Sequence, residues 1–236
     1  MLRPPARAAR MLSAVIPLAA DETAWPGLLE QLRALPEGSE VILVRCGDTP
    51  VRRPAGWPAH LGFTECLSPQ GRARQMNVGA QAARGRWLWF LHADTRLTPP
   101  VLPALLGVLR HDEEALGYFD LAFAADGPRL TRLNALGANL RSRWLGLPFG
   151  DQGFILPART FHALGGYDER AASGEDHRLV WALRAKAVPL IHLDATLVSS
   201  ARKYARHGWL ATTAHHVRLT TRQAWGGWRE LKREPS

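Results

Sequence analysis

Short apolar runs alternate with segments of helical period along the first half of the chain, and this alternation restricts the fold more than any other feature. Glu40–Val44 (Glu-Val-Ile-Leu-Val) is a β-branched run of the kind that forms a buried strand, and Ser13–Pro17 and Trp87–Leu91 read the same way. Between them, Trp25–Leu35 is apolar at 25, 28, 29, 32 and 35, with Pro26 near its start, and Gln75–Arg84 is Ala-rich up to Gly85. Thr98-Pro99 supplies a cap and a first-turn proline for a helix to about Arg110. Residues 45–60 contain Pro50, Pro54 and Pro58 and are expected to form no long regular element. Strands separated by helices imply an α/β fold with a mostly parallel central sheet, Rossmann-like, flanked by helices on both faces.

The second half is less regular. Strands are predicted at Tyr118–Phe123, Gly153–Leu156 and Leu190–Val198, and helices at Leu130–Leu145, Arg159–Leu164, Ser173–Ala187 and His207–Arg222. No repeat or linker divides the sequence. One domain is expected over 11–236, after a disordered basic tail at 1–10, with a basic amphipathic segment from about 201.

Charge is distributed unevenly. The 236 residues carry a net +9, of which residues 1–10 contribute +3 and residues 201–236 contribute +6, while 11–200 hold 19 basic and 19 acidic groups. A neutral body argues against nucleic acid as the main partner. Basic ends suit an anionic partner: a diphosphate, or an acidic membrane surface met peripherally through the C-terminus. Trp209, Trp225 and Trp228 fit such an interface, although packing of a last helix on the body accounts for them equally. No apolar run approaches the ~20 residues of a membrane span. Cys46 and Cys66 match no zinc or redox spacing, and the expectation is reduced thiols in a cytoplasmic protein, with peripheral placement at the inner face of the membrane as its variant.

In an open parallel sheet, ligands sit beyond the C-terminal ends of the strands. Segments 17–22, 45–49, 68–77 and 92–95 fall there. Asp94 follows the strand Trp87–Leu91 and can hold a divalent metal that in turn holds a diphosphate, or can cap the following turn. Arg72 and Arg74 precede a helix and can bind phosphate, or be solvated. Asp176, in Ser173-Gly-Glu-Asp176, can be a general base or part of a capping box. Gly150-Asp151-Gln152-Gly153 is a turn that can line an acceptor site. Arg202-Lys203-Tyr204 can clamp a leaving diphosphate or form a solvated charge run.

Taken in order, Gly71-Arg-Ala-Arg-Gln-Met-Asn-Val-Gly79, Phe90-Leu-His-Ala-Asp-Thr95, Asn139-Leu-Arg-Ser-Arg143, Gly150-Asp-Gln152, Gly165-Gly-Tyr-Asp168, Glu175-Asp176 and Arg202-Lys-Tyr-Ala-Arg-His-Gly208 resemble family 2 glycosyltransferases, nearest a bacterial arsenosugar-biosynthesis or selenodomain-associated subgroup. The resemblance implies the GT-A fold and an inverting transfer from a nucleotide-diphosphate-sugar to an acceptor hydroxyl, assisted by Mg²⁺ or Mn²⁺. It implies Asp94 as the metal carboxylate, with His92 at the first acid of the family's Asp-x-Asp, and Asp176 as base. Pro17, Asp21, Arg45, Asp48, Arg72, Arg74, Asn77, His92, Asp94, Arg202 and Lys203 would contact the donor, and Asp151, Gln152, Glu175 and Tyr204 the acceptor. Two positions depart from the family pattern: Ala20 replaces the Asn of Pro-x-x-Asn-Glu, and Arg45 replaces the base-reading Asp, with Asp48 three positions on. These departures leave two alternatives: a catalytically impaired nucleotide-sugar-binding protein of the same fold, or a peripheral membrane binder acting through its basic C-terminus.

Overall fold

The computed structural model describes residues 10–47, 50–110, 114–170, 174–214, 218 and 221. Its strands are β1 (Arg10–Leu18), β2 (Glu40–Arg45), β3 (Gly62–Leu67), β4 (Gly85–Phe90), β5 (Arg96–Leu97), β6 (Leu116–Phe123), β7 (Ile155–Pro157) and β8 (Leu190–Ser199). They form one sheet in the order β3-β2-β1-β4-β7-β6-β8-β5. β3, β2, β1 and β4 run parallel, and β6 runs parallel to β8. The short β7 is antiparallel to both its neighbours and joins the two parallel groups.

The helices are α1 (Trp25–Leu32), α2 (Arg72–Ala82), α3 (Val101–Arg110), α4 (Thr131–Leu145), α5 (Ala158–Ala163), α6 (Glu175–Ala185) and α7 (Arg202–His207). Alternation along β1 sends Leu12, Ala14 and Ile16 to one face, where they meet Leu28, Leu29 and Leu32 of α1 and Val101 and Leu105 of α3. Val15 points to the other face, among Met76 of α2, Phe161 of α5 and Leu179 and Val180 of α6. Each fully buried Leu here stabilises the fold by roughly 1.5–3 kcal/mol. Gly79 lets α2 lie directly on the sheet: a Cβ there would overlap Val15 and stand 2.9 Å from Val44 Cγ2.

The expected α/β layering is present, and four elements differ in detail. β3 was not foreseen, because Gly-Phe-Thr-Glu-Cys-Leu is half-buried almost throughout and has no continuous apolar signal. β5 was also missed, since two residues carry no periodicity. Its pairing with β8 delays α3: Thr98 Oγ1 donates to Thr196 O at 2.7 Å instead of capping, and Val101 N bonds Thr98 O at 3.0 Å. The final helix begins earlier than expected, at Arg202, and helical structure resumes over 209–214 after Gly208; most of 215–222 lies outside the described residues. Cys46 and Cys66 are free thiols. The tail 1–9, Trp225 and Trp228 lie outside the described residues.

Candidate active site

The ends of β4 and β8, the starts of α2 and α6 and a 3₁₀ turn at Gly150–Gln152 meet through their side chains. Two clusters of charge form there.

The first contains Asp94, Glu22 and Arg202. Asp94 is half-buried just past β4, and its carboxylate accepts the backbone N–H of Ser200. Burial raises its pKa above the usual carboxylate value, and the charge of Glu22 adds to the rise, against the pull of Arg202. Glu22 Oε1 accepts the N–H of Ala24 at 2.7 Å and lies 3.7 Å from Arg202 Nη2. Arg202 is itself positioned: its Nε donates to Ser200 Oγ at 2.9 Å, and Ser200 Oγ donates to Asp126 at 2.6 Å. Asp126 also accepts Ala201 N at 2.7 Å; burial works against its charge, yet these bonds and Arg202 hold its pKa below the usual range.

The second contains Arg72, His92, Glu175, Asp176, Asp151 and Arg141. Arg72 opens α2, donates through Nη2 to His92 Nε2, and stands 3.2 Å from Glu175 Oε1 through Nε. Burial and the adjacent guanidinium push the His92 pKa well down, so its ring is a neutral acceptor. Asp176 uses one oxygen to accept Gly150 N at 2.8 Å and the other to accept His177 N at 2.8 Å. The N-cap of α6 is Gly174, in left-handed conformation, with no side-chain cap, and Ser173 lies outside the described residues. Asp176 therefore ties the turn 150–152 to α6, and it remains half-buried and open to a ligand.

Asp151 Oδ1 is enclosed and has no hydrogen-bond partner among the described residues. Burial, then repulsion from Asp176, raises its pKa to about 6, despite Arg141 and Arg72. Arg141 lies on the ring of Phe149, its guanidinium carbon 3.3 Å from the centroid, and donates through Nε to Leu147 O at 2.8 Å. Its Nη2 is enclosed without a hydrogen-bond partner among the described residues, and burial lowers its pKa to about 10 against the pull of Asp151 and Asp176. Tyr204 is buried against Phe123, and burial together with Asp151 raises its pKa.

Several residues expected at the site are engaged elsewhere. Asn77 is buried and clasps the 165–169 segment, donating to Tyr167 O and Glu169 Oε1 at 2.9 Å and accepting Tyr167 N at 2.9 Å. Arg74 is exposed and lies 3.3 Å from Glu169. Gln152 is fully buried: it accepts Ser142 Oγ at 2.7 Å and Phe149 N at 3.0 Å and donates to Phe119 O at 2.9 Å, leaving no surface for an acceptor. Asp21 is exposed, and the next residue, Glu22, turns to Asp94 instead. Lys203 is exposed on α7, and Pro17 is half-buried opposite Val44. Arg45 pairs with Glu65 of β3 and donates to Gly47 O, while Glu65 accepts Val51 N at 2.8 Å; Asp48 lies outside the described residues. Burial opposes the Glu65 charge, but Val51 and Arg45 hold its pKa low.

Glu22, Arg141 and Gln75 are the residues that the sequence did not single out. Gln75 Nε2 donates to Leu18 O at 2.7 Å and Val44 O at 2.8 Å, closing the ends of β1 and β2. Its position inside Gly71–Gly79 was the available signal.

The crystal structure of S. aureus TarS 1-349 superposes with a TM-score of 0.62 over 80% of this chain and 60% of that one, at 13% identity. The fold is GT-A. TarS 1-349 in complex with UDP-GlcNAc gives a TM-score of 0.60 at 14% identity over 80% of this chain and 58% of that one, and its complex with UDP gives 0.62 at 14% identity over 81% and 60%. The chain thus spans about three-fifths of the TarS fragment's length. The Glycosyl transferase family 2 model matches residues 66–166. That stretch includes Arg72, Asp94 and Asp151. No curated protein matches the chain in sequence.

Proposed function

We propose that this protein transfers a sugar from a nucleoside-diphosphate sugar to an acceptor hydroxyl by a single in-line displacement with inversion. The observation that carries this reading is the convergence of Asp176 on the turn holding Asp151, beside Arg72 at the start of α2. The UDP-GlcNAc and UDP bound to TarS support a nucleotide-sugar donor of this chemical class.

Asp176 takes the proton from the acceptor hydroxyl as its oxygen attacks the anomeric carbon. Both Asp176 oxygens already accept a backbone N–H, which fixes the carboxylate without neutralising it. Arg72 and Arg202 face the charge that grows on the departing diphosphate. His92 holds Arg72 in place as a neutral acceptor and adds no competing charge.

A divalent cation fits the first cluster. Asp94 and Glu22 repel each other, and hard oxygen ligands suit Mg²⁺ or Mn²⁺. Among the described residues no group of three or more potential ligands exists, so the donor's phosphate oxygens would complete the shell. When bound there, the cation supplies charge stabilisation to the diphosphate.

Arg45 does not by itself favour an impaired binding protein. Its charge is met by Glu65, so a carboxylate is still present beside the end of β2, contributed by β3. The deciding experiment incubates the full chain with Mn²⁺, UDP-sugars and GDP-sugars and follows nucleoside-diphosphate release. Release that depends on the added acceptor, with inverted anomeric configuration by NMR, supports the proposal. Binding of donor without turnover across an acceptor panel would establish the impaired reading instead.

A further inference from the structure

Helix α4 is amphipathic in the wrong sense for a helix whose partner is only the core. It buries its small residues, Thr131, Ala135, Ala138 and Ser142. It exposes its large ones: Leu133 (58%), Leu136 (54%), Leu140 (36%) and Trp144 (78%). At 100° per residue, Leu133, Leu140 and Trp144 fall within one narrow stripe opposite the buried face, with Leu136 beside it. An exposed apolar stripe of this kind marks a surface that something covers.

The charge around the stripe identifies the occupant. Between Asp126 and Asp151 the sequence has no acid, and between Asp194 and Glu230 it has none again. The structure brings these two acid-free stretches together. Trp209 Nε1 donates to Asn134 Oδ1 at 2.6 Å, and Asn134 Nδ2 donates to Thr213 Oγ1 at 3.0 Å, so residues 209–213 are tied to α4 at Asn134. Arg129 and Arg132 are exposed on α4 and just before it; Lys203, Arg206 and Leu210 are exposed on the adjoining segment. Leucine and tryptophan lie between arginine and lysine, and the adjoining carboxylates are already engaged, Asp120 by Arg143 and Asp126 by Ser200 and Ala201; this is the surface pattern of a helix lying in the interface of an anionic bilayer. A second copy would present the same basic surface and repel it. The chain's own residues 222–236 bring four more basic groups against two acids and would repel it too.

We propose that α4, with the 202–214 segment, docks on an anionic lipid bilayer, its apolar stripe entering the headgroup boundary. The inward side of the same helix carries Arg141, beside Asp151, and Ser142, bonded to Gln152, so docking would set the turn of the second charge cluster next to the lipid surface.

The test uses the full chain and sedimentation with vesicles of phosphatidylcholine, or of phosphatidylcholine mixed equally with phosphatidylglycerol. The expected result is binding to the anionic vesicles alone, weakened by salt. The triple variant Leu136→Ser, Leu140→Ser, Trp144→Ser should bind them at least about tenfold more weakly, with an unchanged circular-dichroism spectrum. These side chains support no core, so loss of fold is not expected. Asp176→Asn should bind vesicles as wild type does, which separates docking from the transfer reaction. No sedimentation with anionic vesicles at low salt would overturn the proposal, as would a triple variant that binds normally. Binding lost on removing residues 222–236 but kept in the triple variant would assign the contact to the tail. A dimer in analytical ultracentrifugation that the triple variant dissolves would assign the stripe to a second copy, and would equally overturn it.

Discussion

Asp176 Oδ2 accepts the backbone N–H of Gly150 at 2.8 Å and so ties the first turn of α6 to the turn carrying Asp151. Asp176→Asn keeps one oxygen for the Gly150 N–H but turns its NH2 toward the His177 N–H, so it should fold with a loss of about 1–3 kcal/mol. An amide cannot take the acceptor's proton, so turnover should fall by at least about a hundredfold. Thermal melting and transfer assays on the same preparation check both halves. Turnover within a few-fold of wild type would leave Asp176 a tether and direct attention to Glu175 and Asp151.

Asp94 and Glu22 approach from two strand ends, and burial together with the Glu22 charge raises the Asp94 pKa. Asp94→Asn should abolish most of the Mn²⁺-dependent part of nucleoside-diphosphate binding, and Glu22→Gln should weaken it less, because Glu22 also engages Ala24 and Arg202. Calorimetry with and without Mn²⁺ measures this. Equal affinity in all three proteins would remove the metal assignment.

Arg45 and Glu65 form a pair at the ends of β2 and β3. Arg45→Asp places two carboxylates together and should alter the order of preference among uridine and guanosine donors. A thermal-shift screen of nucleotide-sugars reports the order, since ligand bound to the native state alone raises the melting temperature. An unchanged order in both Arg45→Asp and Glu65→Gln would put the pair outside the base pocket.

Much of this arrangement was legible in the sequence because the strands that position it are continuous apolar runs. Trp87–Leu91 announced β4 and thereby placed Asp94, and the Gly71–Gly79 stretch announced the approach of α2 and Arg72. Glu22 was not legible. Whether Asp21 or Glu22 turns inward depends on the path of three residues after β1, which no periodicity records. Asn77 and Gln152 misled for a related reason: a polar residue in a shared motif can hold the scaffold as readily as a ligand, and only its burial and bonding distinguish the two. The charge of Arg45 was visible, but its partner lay on β3, a strand without an apolar signal. The stripe on α4 was visible as helical spacing, which gives the apolar face and not what that face meets.

Asp151 provides a prediction in pH. Its pKa is raised in the fold to about 6, because burial and Asp176 disfavour the carboxylate. A carboxyl whose folded pKa lies above its unfolded value contributes stability that is fully present below the unfolded value, near 3.8, and is lost as pH rises through about 6. At pH 8 the ionised group therefore costs stability, by at most about 3 kcal/mol. His177 works in the opposite direction: burial lowers its pKa to about 4, although Asp176 opposes this, so its neutral ring favours the fold at neutral pH and ceases to do so as pH falls toward 4. The two effects partly cancel in the wild-type melting curve, and a variant is needed to separate them. Asp151→Asn removes only the first. It should melt higher than wild type at pH 8, and the gain should shrink steadily and vanish near pH 4, where wild-type Asp151 is already protonated. Differential scanning calorimetry at four or more pH values between these limits decides it. A difference in melting temperature that does not vary with pH would mean that Asp151 titrates normally and that Arg141 neutralises it in the fold.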